Sequence, residues 1–259
     1  MKRLHHYTSI DTLEVILKNK NIKFNRLDLV DDKAEYKHDS LIYDIKIKLG
    51  KYTFASCWTR SDVENIDLWN RYGKNNRGIR LTLDEDMFIT NDVGTVRKSF
   101  FLEREVYFEN FYISSYINDV CVKDTIYVED IIPYYQNAIM SVGPGVVFSH
   151  DNIGLYKKRE WALQEESRFI IHAIPFTRSL LTNHPLSLPE AVGDAYRNQT
   201  ELCEKALFIP LRQEALNNIR ILMGPLSTEQ DKKRVESLLD KFNIKIQIQD
   251  SVLKGDLHD

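Results

Sequence analysis

The chain has 259 residues, of which 43% are apolar and 28% charged, so it can bury a sizeable core without a disulfide or metal staple. Its net charge of -3 argues against a protein that holds nucleic acid mainly by neutralising phosphates. The three cysteines form no CxxC pair, the opening residues lack the apolar stretch of a signal peptide, and no run approaches the ~18 apolar residues of a membrane span. We therefore expect a cytoplasmic protein with no membrane partner.

The first part of the chain alternates between helix and strand patterns. Residues 9–19 carry one apolar stripe at helical spacing and begin at Thr8 or Ser9, either of which can cap a helix. Residues 22–27 alternate as a short strand and lead into the acidic loop 28–35, which we interpret as a solvated turn.

A strand over 52–59 follows, with Tyr52, Phe54, Ser56 and Trp58 on one face. Residues 63–72 predict a helix that buries Ile66 and Trp69, capped by Ser61 or Asp62. We predict that the turn over 73–78 is exposed, with Gly73 or Gly78 at positive φ, and that residues 78–83 return as a strand.

The middle of the chain, from about 87 to 155, has weaker patterns. A strand is predicted over 103–108 and a helix over 124–142. A strand over 165–172 comes next, and residues 176–203 read as a helix with loops. The tail predicts strands at 206–211, 219–225 and 244–249 around a helix that starts at Ser227 or Thr228 and runs to about Phe242.

This order of elements is mixed, which favours an α+β fold with a mixed or antiparallel central sheet. No composition break divides the chain, so we predict one domain over 1–259. The strands at 52–59 and 165–172 should belong to the same sheet, because only then can their small and polar faces meet in one site.

Two segments carry side chains with chemical potential. His6 lies directly before the first helix, where an imidazole can reach a ligand, although a histidine in such a position is more often structural. Gln164, Glu166 and Arg168 share one face of a strand. That glutamate is either a site carboxylate held ionised by Arg168 or half of a structural pair, and Arg168 could also pair with Glu35.

Other chemistries have little support. The thiol of Cys57 could act as a nucleophile, but a small core thiol is commoner. The acidic residues at 28–35 lack the spacing of a calcium loop, and no phosphate-binding glycine motif, GxSxG or HExxH occurs. We therefore expect no metal.

Taken together, these segments resemble the bacterial family called domain of unknown function 2971. The resemblance rests on LHHYTSIDTLEVILKN, the later loop VDDKAE, FASCWTRSDVENIDLWNRYGKNNRGIRLTL, EREVYF, WALQEESRF and IRILMGP, which occur in the family's order and cover most of the chain. One departure is Asp31-Asp32-Lys33, where the family tends to have Asn-Asp-Pro.

A more distant resemblance links the same residues to ADP-ribosyltransferases of the His-Tyr-Glu type, which implies a split central sheet and NAD as substrate. The His-aromatic-Thr opening resembles their first motif, so the resemblance implies that His6 and Thr8 bind a ribose of NAD. Residues 52–56 would be the second motif, with Tyr52 and Ser56 at the nicotinamide. Gln164-Glu165-Glu166 resembles the third motif, in which Glu166 orients the ribose hydroxyl and Gln164 holds the acceptor.

Two hypotheses follow from different classes. The first is an NAD-dependent ADP-ribosyltransferase or NAD glycohydrolase with a protein, nucleic acid or water as acceptor, in a phage-defence or toxin system. The second is a non-catalytic module of the same fold that binds a nucleotide or a protein.

Overall fold

The computed structural model describes residues 2–32, 35, 40–42, 45–93, 98–103, 105–115, 117–136, 138–142, 145–149, 152–176 and 188–256. Its α-helices are α1 Ile10–Asn19, α2 Ile66–Tyr72, α3 Ile132–Tyr135, α4 Leu188–Arg197, α5 Gln213–Asn217 and α6 Glu229–Lys241. The strands in chain order are β1 Arg3–Thr8, β2 Asn21–Arg26, β3 Ser40–Ile42, β4 Ile45–Ile47, β5 Thr53–Thr59, β6 Ile79–Asp84, β7 Asn91–Asp92, β8 Lys98–Ser99, β9 Glu105–Tyr107, β10 Tyr112–Ser114, β11 Val122–Asp124, β12 Ile126–Val128, β13 Ile139–Val142, β14 Gly145–Phe148, β15 Tyr156–Lys158, β16 Glu166–His172, β17 Ala206–Pro210, β18 Arg220–Met223 and β19 Ile248–Asp250.

One large sheet organises the molecule. It contains nine strands in the order β11-β16-β5-β1-β6-β18-β19, and β2, with β17 beyond it, joins at β5. All pairings in it are antiparallel except β18 with β19. The fold is therefore mixed α and β around a mixed sheet. The prediction that 52–59 and 165–172 belong to one sheet is confirmed, since β5 and β16 are neighbours in it.

Helix α1 follows the sequence pattern closely. Ile10, Leu13, Ile16 and Leu17 are its buried residues. Ser9, rather than Thr8, is the cap, since its side chain accepts a hydrogen bond from the backbone of Thr12. The helix connects β1 to β2, two strands that both border the site described below.

Helix α2 and the turn after it differ from the prediction. The helix begins at Ile66 with Asn65 as cap, and it buries Leu68 and Trp69, whereas Ile66 is 47% exposed. In the turn, Lys74, Asn75 and Asn76 adopt positive φ, and neither Gly73 nor Gly78 does. The prediction of positive φ for the two glycines was wrong. Glycine is required there because neighbouring backbone atoms leave no room for a Cβ atom.

The middle segment also differs from the prediction. The helix predicted over 124–142 is wrong, because the structure has β12, the four-residue α3 and β13 there. The tail agrees better: Thr228 caps α6 in a capping box with Asp231, although the last strand is only the three residues of β19. Part of 176–203 lies outside the described residues; α4 is the helix predicted there. No helix among the described residues is long and apolar enough to cross a membrane.

Candidate functional site

The large sheet is split beside β5. One edge of β5 pairs with β16 over the whole length of β5, from Thr53 to Thr59. Strands β1 and β2 therefore both pair with the opposite edge of β5. Strand β1 pairs with β5 only at Thr59, and β2 only at Phe54 and Ala55. Residues 56–58 therefore face a gap in which β5 has no neighbouring strand.

The side chain of His6 fills part of this gap. Its Nδ1 lies 2.9 Å from the carbonyl oxygen of Cys57, and its ring packs at 5.1 Å against the ring of Trp58. Since a carbonyl oxygen only accepts, Nδ1 carries the proton. The imidazole thus replaces a missing backbone donor of the sheet.

The same contact fixes the chemical state of His6. Burial lowers the pKa of the imidazole below its ordinary 6.5, and the hydrogen bond to Cys57 opposes this only in part. At neutral pH the ring is uncharged, with its proton on Nδ1. Its Nε2 is then an acceptor for a hydroxyl or N–H group.

A cavity of about 290 Å³ opens at the split. Strands β1, β2, β5 and β16, helix α2 and the 3₁₀ helix Arg159–Gln164 all contribute to its wall. His6, Ser56, Gln164 and Glu166 line it together, as the sequence predicted.

Glu166 belongs to a buried network of four charges. Its Oε1 accepts from Arg168 Nε at 2.7 Å, and its Oε2 accepts from Lys157 Nζ at 2.7 Å and from Arg168 Nη2 at 3.2 Å. Glu35 makes equivalent contacts: its two oxygens accept from Arg168 Nη1 and Nη2 at 2.5 and 2.9 Å, and it lies 3.2 Å from Lys157 Nζ. Two carboxylates are thus bridged by the same two cations.

Both cations are held closely by the network. Arg168 has five N–H donors, and the one that does not reach a carboxylate bonds to the carbonyl of Gly154 at 2.7 Å. Lys157 has three, of which one reaches Glu166 and another reaches Gln164 Oε1 at 2.7 Å, and its nitrogen also forms the ion pair with Glu35. Arg168 therefore cannot bind a further anion without breaking a bond that it already makes, and Lys157 is already paired with two carboxylates.

The network keeps Glu166 ionised despite its burial. Burial alone would raise the pKa of this carboxyl, but the positive charges of Arg168 and Lys157 outweigh that cost and lower the pKa to about 2. Burial raises the pKa of the neighbouring Cys57 thiol well above its usual range, and the charge of Glu166 adds to the rise. Cys57 is therefore a neutral thiol, which does not favour a nucleophile.

Aromatic side chains form another part of the wall. Tyr72 and Trp161 both line the cavity, and the Tyr72 hydroxyl lies 3.3 Å from Gln164 Nε2. The cations of Arg71 and Lys157 lie 4.9 and 5.1 Å from the ring centroid of Trp161. Tyr72 is thus part of the site, although it was not among the predicted site residues.

Two predicted site residues lie elsewhere. Tyr52 precedes β5 in the 3₁₀ helix Leu49–Tyr52, its hydroxyl donates to the carbonyl of Thr200, and its ring packs against Tyr196. Thr8 is buried beside Gly78, at the last residue of β1, where it pairs with Ile79. Neither is among the residues of the cavity wall.

Ser56 lines the cavity with its hydroxyl engaged. Its Oγ accepts a hydrogen bond from Trp58 Nε1 at 2.9 Å, and the residue is buried. In this arrangement Ser56 orients Trp58, against which the His6 ring packs.

Three further wall residues were not expected at the cavity, although the predicted pairing of Glu35 with Arg168 is confirmed. Asp32 and Glu35 are buried in the wall, so the interpretation of 28–35 as a solvated turn was wrong for them. Lys157 lies on β15, outside the large sheet, and no local pattern distinguishes it from the exposed lysines of the chain. A buried lysine becomes recognisable only when its carboxylate partners are known.

Comparisons of the chain with models of known protein families, with curated proteins and with solved structures found no match in any of the three.

Proposed function

We propose that the cavity binds the nicotinamide–ribose part of NAD and that the protein is an NAD-dependent ADP-ribosyltransferase or NAD glycohydrolase. One observation carries the proposal: a neutral imidazole with a free acceptor and an ionised, buried carboxylate line the same cavity, at His6 and Glu166. Metal-ligand clusters of His, Cys, Asp or Glu are absent from the described residues, and the expectation of metal-free chemistry stays a prediction.

The chemistry requires a negative group beside the ribose. When the bond between nicotinamide and ribose C1′ breaks, nicotinamide leaves with the bonding electrons and positive charge develops on the sugar. The Glu166 carboxylate stabilises that charge and accepts from a ribose hydroxyl, as carboxylates do in glycoside cleavage. The acceptor, or water, then bonds to C1′ and gives up a proton.

Each chain residue has a defined part in this scheme. His6 Nε2 accepts from a ribose hydroxyl and thereby positions the sugar. The Glu166 carboxylate accepts three hydrogen bonds from Arg168 and Lys157. A carboxylate offers about four lone pairs, so a ribose hydroxyl can donate to the remaining one without disturbing Arg168 or Lys157.

The size of the cavity limits what enters it. Its 290 Å³ lies at the lower end of the ~300–1,000 Å³ range of small-molecule sites, which fits one half of a dinucleotide. Tyr72 and Trp161 supply aromatic surface for a flat ring. The acceptor and a role in phage defence or a toxin system remain predictions from the resemblance.

The hydrogen bonds that Glu166 already makes favour a second function, that of a non-catalytic binding module. Glu166 already accepts three hydrogen bonds from Arg168 and Lys157, as a structural carboxylate does. A non-catalytic module that binds a nucleotide or a protein at this cavity would not need a hydrogen bond between its ligand and Glu166.

Incubation with NAD labelled in the adenylate half separates the two functions. We expect nicotinamide release, with the label on an acceptor or on free ADP-ribose. E166Q should lower turnover by about 100- to 1,000-fold, because the carboxylate acts mainly in the transition state. Binding of NAD without any nicotinamide release would favour the binding module.

Two matched variants control for folding. E165Q changes the adjacent, exposed glutamate, which is not part of the cavity wall, and should keep full turnover. E35Q removes the same charge from the same two cations, so its melting temperature should fall about as far as that of E166Q. If E35Q and E166Q lose turnover equally, the loss reflects the network and not the reaction.

A further inference from the structure

The phosphate groups of the proposed substrate cannot be bound by the cations at the floor of the cavity. All five N–H donors of Arg168 and two of the three of Lys157 are already bonded to Glu35, Glu166, Gln164 and the Gly154 carbonyl, and Lys157 Nζ also lies 3.2 Å from Glu35. A phosphate there would also lie against two carboxylates, which repel it. The anionic end of the ligand must therefore lie at another part of the wall.

Strand β2 supplies such a place. Lys23 and Asn25 lie on one face of it, both exposed and both in the cavity wall. Within the described part of the chain, neither side chain makes a hydrogen bond or an ion pair. Lys23 is accordingly a cation of the wall that forms no ion pair with a described carboxylate, although Asp31 and Asp32 line the same cavity, and Asn25 adds free amide donors.

The position of β2 gives the ligand a direction. Asn25 pairs with Ala55, the point at which β2 leaves β5 and the split begins. Tyr72, on α2, lies on the β1 side of the split, because α2 packs against β1. His6 and residues 56–58 lie between these two sides.

Building on the function proposed above, we propose that Lys23 and Asn25 form the phosphate subsite for a nucleotide whose ribose lies at His6 and whose base faces Tyr72 and Trp161. The ligand class is a 5′-phosphorylated or pyrophosphate-linked nucleoside. The phosphate lies at the exposed mouth, where it keeps part of its hydration, and the sugar lies deeper.

Calorimetric titration of the full chain with matched ligands tests the subsite. Nicotinamide riboside has no phosphate, nicotinamide mononucleotide has one, and inorganic pyrophosphate has no nucleoside. K23Q should weaken binding of the mononucleotide and of pyrophosphate about tenfold, the size of a charge-assisted hydrogen bond, and leave the riboside unchanged. K23R should keep most of the affinity.

Two comparison variants locate the effect. K245Q removes an equal charge from an exposed lysine that is not part of the cavity wall, and R71Q removes a cation at the Trp161 side. At a fixed ionic strength, K245Q should not change binding of the mononucleotide, and R71Q should not change binding of pyrophosphate, which has no base to face Trp161. Equal affinity of wild type and K23Q for the mononucleotide and pyrophosphate would overturn the subsite, as would a larger loss of pyrophosphate affinity in R71Q or no binding to wild type.

The subsite and the enzymatic function fail separately. Pyrophosphate binding that depends on Lys23, with no nicotinamide released from NAD, would uphold the subsite and remove the NAD reaction. The opposite outcome is normal nicotinamide release by wild type, with K23Q equal to wild type in its affinity for the mononucleotide and pyrophosphate and in its KM for NAD. That result would uphold the reaction and remove the subsite.

Discussion

At the scale of single residues, Glu166 shows how a buried acid stays charged. Its pKa of about 2 lies below the ordinary 4.5 because Arg168 and Lys157 outweigh the cost of burial. A depressed pKa means that the charged carboxylate stabilises the fold above about pH 4.5 and that this stabilisation is lost as the pH falls towards 2.

The pH dependence of unfolding tests this. We expect E166Q to lower the free energy of unfolding by about 3 kcal/mol near neutral pH, because it leaves two buried cations with one carboxylate. The difference between wild type and E166Q should shrink as the pH falls from 4.5 to 2. Urea denaturation across that range measures it; a difference that stays constant with pH would contradict the charged state.

His6 provides a second residue-scale prediction. Burial lowers the pKa of its imidazole below 6.5, so the ring should remain neutral at pH 6.5 with its proton on Nδ1. Nitrogen-15 NMR of protein labelled in the histidine rings distinguishes Nδ1 from Nε2 and follows the titration of the imidazole. A midpoint at or above pH 6.5, or a proton on Nε2, would remove the acceptor that the proposed function needs.

At the scale of elements, the turn after α2 shows why its glycines are present. A Cβ on Gly78 would lie 2.2 Å from the carbonyl oxygen of Thr8, and one on Gly73 would lie 2.5 Å from that of Trp69. Backbone atoms cannot yield as a flexible side chain can. The turn is thus pressed against β1 and α2, and Asn75 and its neighbours take the positive φ angles.

We expect G78A to lower the free energy of unfolding by about 1–3 kcal/mol, since overpacking forces the backbone to shift. N75G places glycine at φ 56° and should change the free energy of unfolding by less than about 0.5 kcal/mol. Glycine adopts positive φ without strain, which stabilises the folded state, but it also makes the unfolded chain more flexible, and the two effects nearly cancel. Thermal unfolding of both variants compares them. Equal effects would mean that contact with Thr8 does not matter.

How far the elements could be predicted depends on the range of their interactions. Helix α1 and strands β5 and β16 follow from local periodicity, and the period of two correctly placed Glu166 and Arg168 on one face of β16. The strand face predicted for Gln164 was wrong, because Gln164 ends a 3₁₀ helix and lines the cavity from there. Tyr52 was misplaced because the chain enters β5 through a 3₁₀ helix, where that period does not apply. Lys157 could not be found, because its burial depends on Glu35, a residue distant in sequence.

At the scale of the whole molecule, the charge network joins two sheets. Lys157 lies on β15, which pairs with β12 through three residues in a separate two-stranded sheet. Two-stranded sheets are marginally stable by themselves. The contacts from Lys157 to Glu35 and Glu166 therefore help to hold this small sheet against the large one.

Native-state hydrogen exchange should reflect that arrangement. We expect amides of β5 and β16 to exchange only through global unfolding and those of β12 and β15 through easier local opening. In E166Q the protection of β12 and β15 should fall more than that of β5 at the same denaturant concentration. A uniform loss over all four strands would show that the small sheet does not depend on the network.

The imidazole of His6 also couples the backbone carbonyl of Cys57 to a ligand in the cavity. Its Nδ1–H is bonded to the Cys57 carbonyl, while Nε2 is free to accept from a ligand. A donor at Nε2 polarises the ring and strengthens the Nδ1–H bond, because linked hydrogen bonds reinforce each other. The carbonyl stretch of Cys57, isolated by carbon-13 labelling, should then move to lower frequency when a hydroxyl ligand binds, so that a single vibration of the backbone reports occupancy.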